Sequence, residues 1–297
     1  MKILFIAPHQ DDEILAAGGL IQKCVNLGDN FMILFVTNGD YCGPHIAQKR
    51  YYESKQALEY LGIREESIFY LGYGDTGMKY SHSFLRRMSF EEPNTVLSTP
   101  FSSMTYHPAG RETVHFMRTG LESPLTQAAF LADLEWFIKK DFPDIIIAPN
   151  FLDMHGDHAT LIHLLQKLNI FNQIPICLTY IIHGGNDILW PLRNTKAFTC
   201  PPVLSINEWK KRISVPLTKQ EQIRKYRAIA GFTTQLKDDS VNFMVSFSKQ
   251  EEVFFLLRDN EINRQNIYNH FWVIAKLAKL VRNLEPKQGR IRAKHEF

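Results

Sequence analysis

Short apolar runs alternate with amphipathic stretches along the first 185 residues of the chain. Five runs are almost continuously apolar, as are strands buried on both faces of a sheet; they are Lys2–Ala7, Phe31–Val36, Ser67–Leu71, Asp144–Ala148 and Ile176–Ile182. Between them, apolar residues at helical spacing predict helices over Asp12–Leu27, Ile46–Leu61, Thr126–Lys140 and His158–Leu168. This alternation predicts the α/β class, with a Rossmann-like, doubly wound and mostly parallel sheet.

Two later segments depart from this pattern. Residues 79–124 are rich in Ser, Pro, Thr, His and Arg, and we expect a long insertion over one edge of the sheet, with His107 and His115 on its surface. Residues 191–262 are expected to form a C-terminal α/β extension of the domain that 1–190 builds. Its predicted elements are a helix near Lys219–Gly231 and strands at Asn242–Phe247 and Val253–Leu257.

The last 35 residues, 263–297, predict an amphipathic helix followed by a basic tail. Seven Lys or Arg and two Glu give the final 22 residues a charge of +5, against +3 for the whole chain. The rest of the chain is therefore slightly acidic, which argues against a nucleic-acid-binding protein. We expect the helix to dock on the body of the protein; the alternative is peripheral contact with an acidic membrane surface.

The cysteine and hydropathy patterns exclude further classes of protein. Four cysteines without a CxxC pair exclude a cysteine zinc ribbon. The apolar run at the N-terminus is too short for the core of a signal peptide, and no apolar run reaches 18 residues. We expect a cytoplasmic protein.

Each predicted strand is followed by His or Asp, at the sheet edge where open parallel sheets bind ligands. These residues are His9, Asp11, Asp12, Asp40, Asp75, Asp153, His155, Asp157, His158 and His183. His9, Asp12 and His158 suit a catalytic divalent metal, and Asp11 beside them can accept a proton from water. The alternative for the acidic run after the first strand is capping of a helix N-terminus.

Four motifs resemble those of one enzyme family. Ala7-Pro8-His9-Gln10-Asp11-Asp12-Glu13, followed by Gly18-Gly19, resembles the A-H-P-D-D-E signature of the PIG-L/LmbE-like zinc deacetylases, and His155-Gly156-Asp157-His158 matches their H-x-D-H. The stretches Arg50–Gly62 and Lys225–Gln235 are similar to two further family elements. All four occur in the family's order.

The resemblance implies a hydrolase that removes an N-acetyl or other N-acyl group from an amino sugar. It implies Zn²⁺ held by His9, Asp12 and His158, with Asp11 as the general base toward a water activated by the ion. Iron, cobalt or manganese can use the same ligands. We further expect His155 to stabilise the negative oxygen of the intermediate and Asp157 to orient the ring of His155.

Substrate contacts are implied for Asp40, Arg50 and Asp75, and we add His183. Each has an alternative: Arg50 can pair with Glu53, Asp40 can be a turn residue, and His183 can be structural. Two departures from the family pattern stand out. Gln10 replaces a proline, and Asp153 stands where some relatives place an oxyanion-stabilising tyrosine.

The sequence therefore predicts an N-deacetylase acting on a GlcNAc-type glycoside, glycolipid or glycan precursor. One alternative is an amidase that uses the same metal site on a non-acetyl amide. Another is a non-catalytic carbohydrate-binding protein, although such a protein has no need of a base at Asp11. The sequence does not indicate an oligomeric state.

Overall fold

The structure is a computed structural model that describes residues 1–185, 190–237 and 242–257. The helix and basic tail expected at 263–297 lie outside the described residues. The strands are β1 (Lys2–Ala7), β2 (Asn30–Thr37), β3 (Ile68–Tyr73), β4 (Ile145–Pro149), β5 (Ile176–Tyr180), β6 (Ile213–Pro216) and β7 (Glu251–Leu256). The helices are α1 (Asp12–Asn26), α2 (Pro44–Leu61), α3 (Phe84–Phe90), α4 (Val114–Thr119), α5 (Gln127–Asp141), α6 (Gly156–Gln166), α7 (Ile206–Trp209), α8 (Lys219–Ile229) and α9 (Thr233–Leu236).

The described strands form one sheet in the order β3-β2-β1-β4-β5-β7-β6. The pairs within β3-β2-β1-β4-β5 are parallel, whereas β7 runs antiparallel to both β5 and β6. The predicted doubly wound, mostly parallel fold is confirmed. Chain order reverses between β1 and β4, so the loops after these two strands diverge there and leave a crevice at their carboxyl ends.

Apolar side chains cover both faces of the sheet, which explains the continuous apolar runs. In β1, Ile3 and Phe5 belong to one core and Leu4 and Ile6 to the other. Helices α1, α2 and α8 supply the first core, and α3, α5 and α6 the second. Because every second residue of a strand faces the same side, the central strands β1, β2 and β4 contribute side chains to both cores.

The C-terminal segment extends the sheet with β6 and β7. The strand predicted at Asn242–Phe247 is wrong, because Met244–Phe247 forms a 3₁₀ helix. The Ser246 hydroxyl donates to the Asn242 carbonyl at 2.7 Å, and Met244 and Phe247 are both buried. A short apolar run fits either structure, and here the local hydrogen bond and the three-residue spacing of the buried side chains match the tighter helix.

The insertion covers the edge strand β3 and one face of the sheet. The Tyr106 amide donates to the Gly72 carbonyl of β3 at 3.1 Å, while Phe84, Met88 and Val114 are buried in the second core. The insertion is therefore part of the packed body.

The surface position expected for His107 is wrong. Its side chain is buried, with its ring 4.2 Å from the ring of Tyr70. His115 also contacts the body of the protein, since its Nδ1 lies 2.9 Å from a carboxylate oxygen of the buried Asp133. No helix in the described part of the chain has the length and apolar character needed to cross a bilayer.

A fully buried ion pair joins the C-terminal segment to α1. Lys225 Nζ lies 2.7 Å from Glu252 Oε1 and also donates to the Leu15 carbonyl. The Glu252 carboxylate in turn accepts the amide protons of Gly19 and Leu20. The pair thus fixes the position of the helix that begins at Asp12.

We predict that Lys225→Met lowers the free energy of unfolding by about 3–5 kcal/mol, because it leaves a buried carboxylate without its cation. Urea denaturation followed by circular dichroism measures the change. The control is Lys55→Met, which breaks a more exposed pair with Glu65 and should therefore cost much less, because solvent screens such a pair. Equal costs for the two variants would contradict the prediction.

Candidate metal centre

The turn after β1 has an unusual backbone. Asp11 adopts φ 142° and ψ −32°, a region that non-glycine residues rarely enter and that costs about 1–3 kcal/mol. The Asp12 carboxylate accepts the amide proton of His9 at 2.9 Å, which closes the turn. Such strain is typical of sites where one side chain must be held in a particular direction.

Three candidate ligand atoms converge at the mouth of the crevice. His9 Nδ1, Asp12 Oδ2 and His158 Nε2 lie 3.3–3.5 Å from one another, and all three side chains are buried. In a tetrahedral zinc site with bonds of about 2.0–2.1 Å, ligand atoms are about 3.3–3.4 Å apart. Two imidazoles and one carboxylate at this spacing fit a divalent metal and leave a fourth position open.

A carboxylate lies behind each candidate imidazole ligand. Asp157 Oδ2 is 3.3 Å from His9 Nε2, and Asp153 Oδ2 is 3.3 Å from His158 Nδ1. In metal sites such carboxylates accept the second ring N–H, which fixes the tautomer and turns the other nitrogen toward the ion. The arrangement therefore orients His9 Nδ1 and His158 Nε2 toward the same point.

Both of these carboxylates are themselves anchored. Asp157 accepts the Ser83 hydroxyl at 2.5 Å and the Leu85 amide at 3.2 Å, both from the insertion. Asp153 accepts the amides of Ile182 and His183, which follow β5. The insertion and the loop after β5 thus fix the two groups that orient the candidate ligands.

His155 lies beside the candidate ligands, but Asp157 does not orient it as expected. The Asp157 carboxylate contacts His9, and only its backbone amide donates to His155 Nδ1, at 3.2 Å. Burial, followed by the nearby His9 and His158, lowers the pKa of His155 well below its usual range. A neutral ring whose Nδ1 accepts a hydrogen bond must carry its proton on Nε2, so His155 can donate a hydrogen bond from Nε2.

The electrostatics favour a cation at this point. Burial alone would lower the pKa of His158, but Asp12 and Asp153 raise it to about 10. Burial likewise opposes ionisation of Asp12, yet His158 and His9 hold the pKa of its carboxyl well below the usual range. The carboxylates around His9 and His158 thus favour positive charge at this point, and a divalent cation held by the candidate ligands would supply it.

Asp11 lies next to this cluster and has its own partners. Arg50 Nη2 and Gln235 Nε2 are 3.6 Å and 3.5 Å from its Oδ2. Burial raises the pKa of Asp11 to about 6, with Arg50 opposing that shift. The alternative pairing of Arg50 with Glu53 is not observed, since the Glu53 carboxylate accepts from Thr233 and Thr234.

The remaining predicted residues also reach the site. Asp75 Oδ1 is 3.9 Å from His9 Nε2, and its Oδ2 is 3.8 Å from Arg50. Asp40 is fully buried, with one oxygen accepting from the Asp75 amide and the other from the Tyr106 hydroxyl. Asp40 therefore supports the loop that carries Asp75. The ring of His183 lies 5.2 Å from that of His158.

Three residues with contacts at the site were not predicted as site residues: Glu13, Ser83 and Gln235. Asp153 was expected at this edge of the sheet, but the sequence did not assign it the role of a partner of His158. Ser83 lies in the insertion, where no motif marks it. Glu13 and Gln235 belong to motifs, but the sequence does not show which way their side chains turn.

Comparison with known proteins places this chain in a family. The sequence profile of the family described as PIG-L, GlcNAc-PI de-N-acetylase, matches residues 4–168, more than half of the chain. The chain belongs to the PIG-L family. The resemblance noted from the motifs is thereby confirmed.

Individual relatives agree with this assignment. Diacetylchitobiose deacetylase of Thermococcus kodakarensis is 30% identical in an alignment of 185 positions, which covers 58% of this chain and 63% of that protein. The N,N'-diacetylchitobiose deacetylase structure from Pyrococcus horikoshii superposes with a TM-score of 0.51 at 19% identity, covering 86% of this chain and 83% of that one. The structure of the zinc-inhibited form of a teicoplanin deacetylase superposes with a TM-score of 0.53 at 12% identity, covering 88% of this chain and 100% of that one. These two structures share the fold.

We predict that Asp153→Asn and Asp157→Asn each weaken binding of Zn²⁺ about 10- to 100-fold, because each removes a charged partner of a candidate ligand ring. Competition with a chromophoric chelator measures the affinity. Asp133→Asn is the matched control, since Asp133 is a buried aspartate that pairs with His115 away from the site. An unchanged affinity in both site variants would contradict this account of the centre.

Proposed function

We propose that this protein is a metal-dependent hydrolase that removes the N-acetyl group from an N-acetylated amino sugar. The observation that carries the proposal is the convergence of His9, Asp12 and His158 with a separate carboxylate, Asp11, beside them. The PIG-L membership and the deacetylase relative support an amide of an amino sugar as the substrate.

His9, Asp12 and His158 would hold the metal, and their donor set suits Zn²⁺. When bound, the ion polarises the amide carbonyl and lowers the pKa of water. Asp11 then takes a proton from the water that adds to the carbonyl carbon. As the C–N bond breaks, Asp11 returns this proton to the nitrogen, and the products are acetate and a free amine.

His155 is the proposed donor to the negative oxygen that develops on the carbonyl. Its neutral ring carries a proton on Nε2, and its ring centroid lies 4.5 Å from that of His9. A fixed donor at a developing oxyanion stabilises the transition state more than the substrate. This role needs no Tyr at the position of Asp153, which instead orients His158.

Arg50, Asp75 and His183 are the proposed contacts to the sugar. The guanidinium of Arg50 donates one hydrogen bond, from Nη2 to the Gln10 carbonyl at 3.2 Å, and its contacts with Asp11 and Asp75 are longer, at 3.6 Å and 3.8 Å. Its remaining N–H groups are therefore donors for a hydroxyl or carbonyl oxygen of the substrate. Asp75 offers acceptors for sugar hydroxyls. Asp40, with both oxygens engaged, acts through Asp75.

A second candidate substrate is an amide with a larger apolar acyl group. Tyr41 and Met78 are both 60% exposed. Tyr41 packs on Gly77, two residues after Asp75, and the Met78 carbonyl accepts the Gly156 amide next to His155. This apolar surface beside the site is where a long acyl chain would lie.

We predict that Asp11→Ala retains one equivalent of metal but lowers kcat for acetate release by about 10²–10⁴-fold, because the general base is lost. The assay uses a panel of free and glycosidically linked N-acetylglucosamine, with metal content measured on the same samples. Asp12→Ala should lose both metal and activity.

Loss of metal from Asp11→Ala would show that base and ligand have been interchanged. Chelation should abolish wild-type activity, and re-addition of metal should restore it. Ions are added up to one equivalent, because the teicoplanin deacetylase relative is described in a zinc-inhibited form. Fatty-acid release in place of acetate would favour the second candidate, and metal-independent sugar binding without turnover would favour a carbohydrate-binding protein.

A further inference from the structure

We propose that Glu13 is a positioning residue that, together with Gln235 and Arg50, clamps the Gln10–Asp11 peptide group and so sets the direction of the Asp11 carboxylate. The role in catalysis rests on the proposed function, in which Asp11 is the base. The clamp itself rests on contacts to both ends of one peptide group.

The N–H end of this peptide is held by Glu13. The Asp11 amide donates to Glu13 Oε2 at 2.9 Å, and the Ser54 hydroxyl of α2 donates to Glu13 Oε1 at 2.8 Å. Glu13 and Ser54 are both fully buried. Because both carboxylate oxygens are used, the Glu13 side chain is fixed between the turn and α2.

The carbonyl end of the same peptide is held from the other side. The Gln10 carbonyl accepts Gln235 Nε2 at 3.0 Å and Arg50 Nη2 at 3.2 Å. Gln235 belongs to the short helix α9, which is tied to α2 through Glu53. The Glu53 carboxylate accepts the Thr234 amide at 2.9 Å and the hydroxyls of Thr233 and Thr234.

This clamp accounts for the positive φ of Asp11. Rotation of the Gln10–Asp11 peptide plane toward an ordinary φ would break hydrogen bonds at both its N–H and its C=O. The next residue, Asp12, is locked by the His9 amide, so the strain cannot relax on that side. Asp11 is thereby held in place beside the ligands, and a shift of about 1 Å can cost about 10²-fold in rate.

Glu13 itself does not touch the candidate ligand atoms. Its described hydrogen-bond partners are the Asp11 amide and the Ser54 hydroxyl, so it acts through Asp11. A merely structural role would predict a loss of stability without a selective effect on turnover. A positioning role predicts a fall in kcat with KM and metal content unchanged.

The test compares Glu13→Leu with Glu13→Gln. We expect Glu13→Leu to lower kcat about 10- to 100-fold, with KM and bound metal within about twofold of wild type. Glu13→Gln should restore kcat to within about threefold, because its carboxamide oxygen can accept the Asp11 amide while its NH₂ donates to Ser54. Wild-type kcat in Glu13→Leu, or an equal loss in Glu13→Gln, would overturn the proposal.

Gln22→Leu is the matched control on the same helix. Gln22 is also buried, and it donates to the Gly18 and Glu221 carbonyls away from the site. This variant should be less stable but turn over at the wild-type rate. If Glu13→Leu fails to fold, Ser54→Ala is used in its place, because this substitution removes only the hydroxyl that anchors Glu13. The proposal would be overturned if Ser54→Ala changed neither kcat nor the protection of the Asp11 amide from exchange.

Hydrogen exchange of the Asp11 amide, monitored by NMR, tests the clamp independently of any activity assay. Exchange should be slow in wild type and Glu13→Gln, and at least about tenfold faster in Glu13→Leu. If no sugar amide is hydrolysed by the wild-type protein, the proposed function fails while this measurement still decides the clamp. Slow exchange of the Asp11 amide in Glu13→Leu would overturn the proposed clamp.

Discussion

The pairing of β1 with β4 is the constraint on which the site depends. Ile3 pairs with Ile145 and Phe5 with Ile147, and the candidate ligands follow the ends of these two strands. A slip of one residue moves a strand end by about 3.3 Å, which is as large as the 3.3 Å separating His9 Nδ1 from His158 Nε2. A slip would also move each side chain into the opposite core, where it would no longer fit its neighbours, so the packing of the two cores fixes the register and, through it, the ligand spacing.

The density of buried negative charge is the second constraint. Asp12, Asp75, Asp153 and Asp157 all lie within 4 Å of a candidate ligand ring, and Arg50 lies beside Asp75. A divalent ion held by the candidate ligands would relieve the repulsion among these carboxylates only in the folded state. Binding of such an ion would therefore be thermodynamically linked to folding and would stabilise the loops that carry the candidate ligands.

Sequence patterns predicted the parts of this molecule that follow from burial and periodicity. Parallel strands such as Asp144–Ala148 were recognisable because both their faces are apolar, and His9, Asp12 and His158 met because strand order brings their loops together. The contact of Asp157 with His9 could not be predicted, since it depends on Ser83 in an insertion without periodicity. Likewise, the apolar pattern of Asn242–Phe247 is compatible with either a strand or a 3₁₀ helix, so the sequence could not distinguish between them.

The chain beyond the matched family segment is as necessary to the site as the motifs themselves. Gly19 lies so close to Leu217 that a Cβ would stand 2.2 Å from its Cδ2, which explains a glycine at this place in the signature. The same close approach lets Glu252 accept amides of α1 while it pairs with Lys225. Because α1 begins at Asp12, one residue after the candidate base, its contacts with Leu217, Lys225 and Glu252 help to determine where that turn lies relative to the rest of the site. Substitutions of these C-terminal residues are therefore expected to shift the turn that carries the candidate base and one candidate ligand, at the N-terminal end of α1.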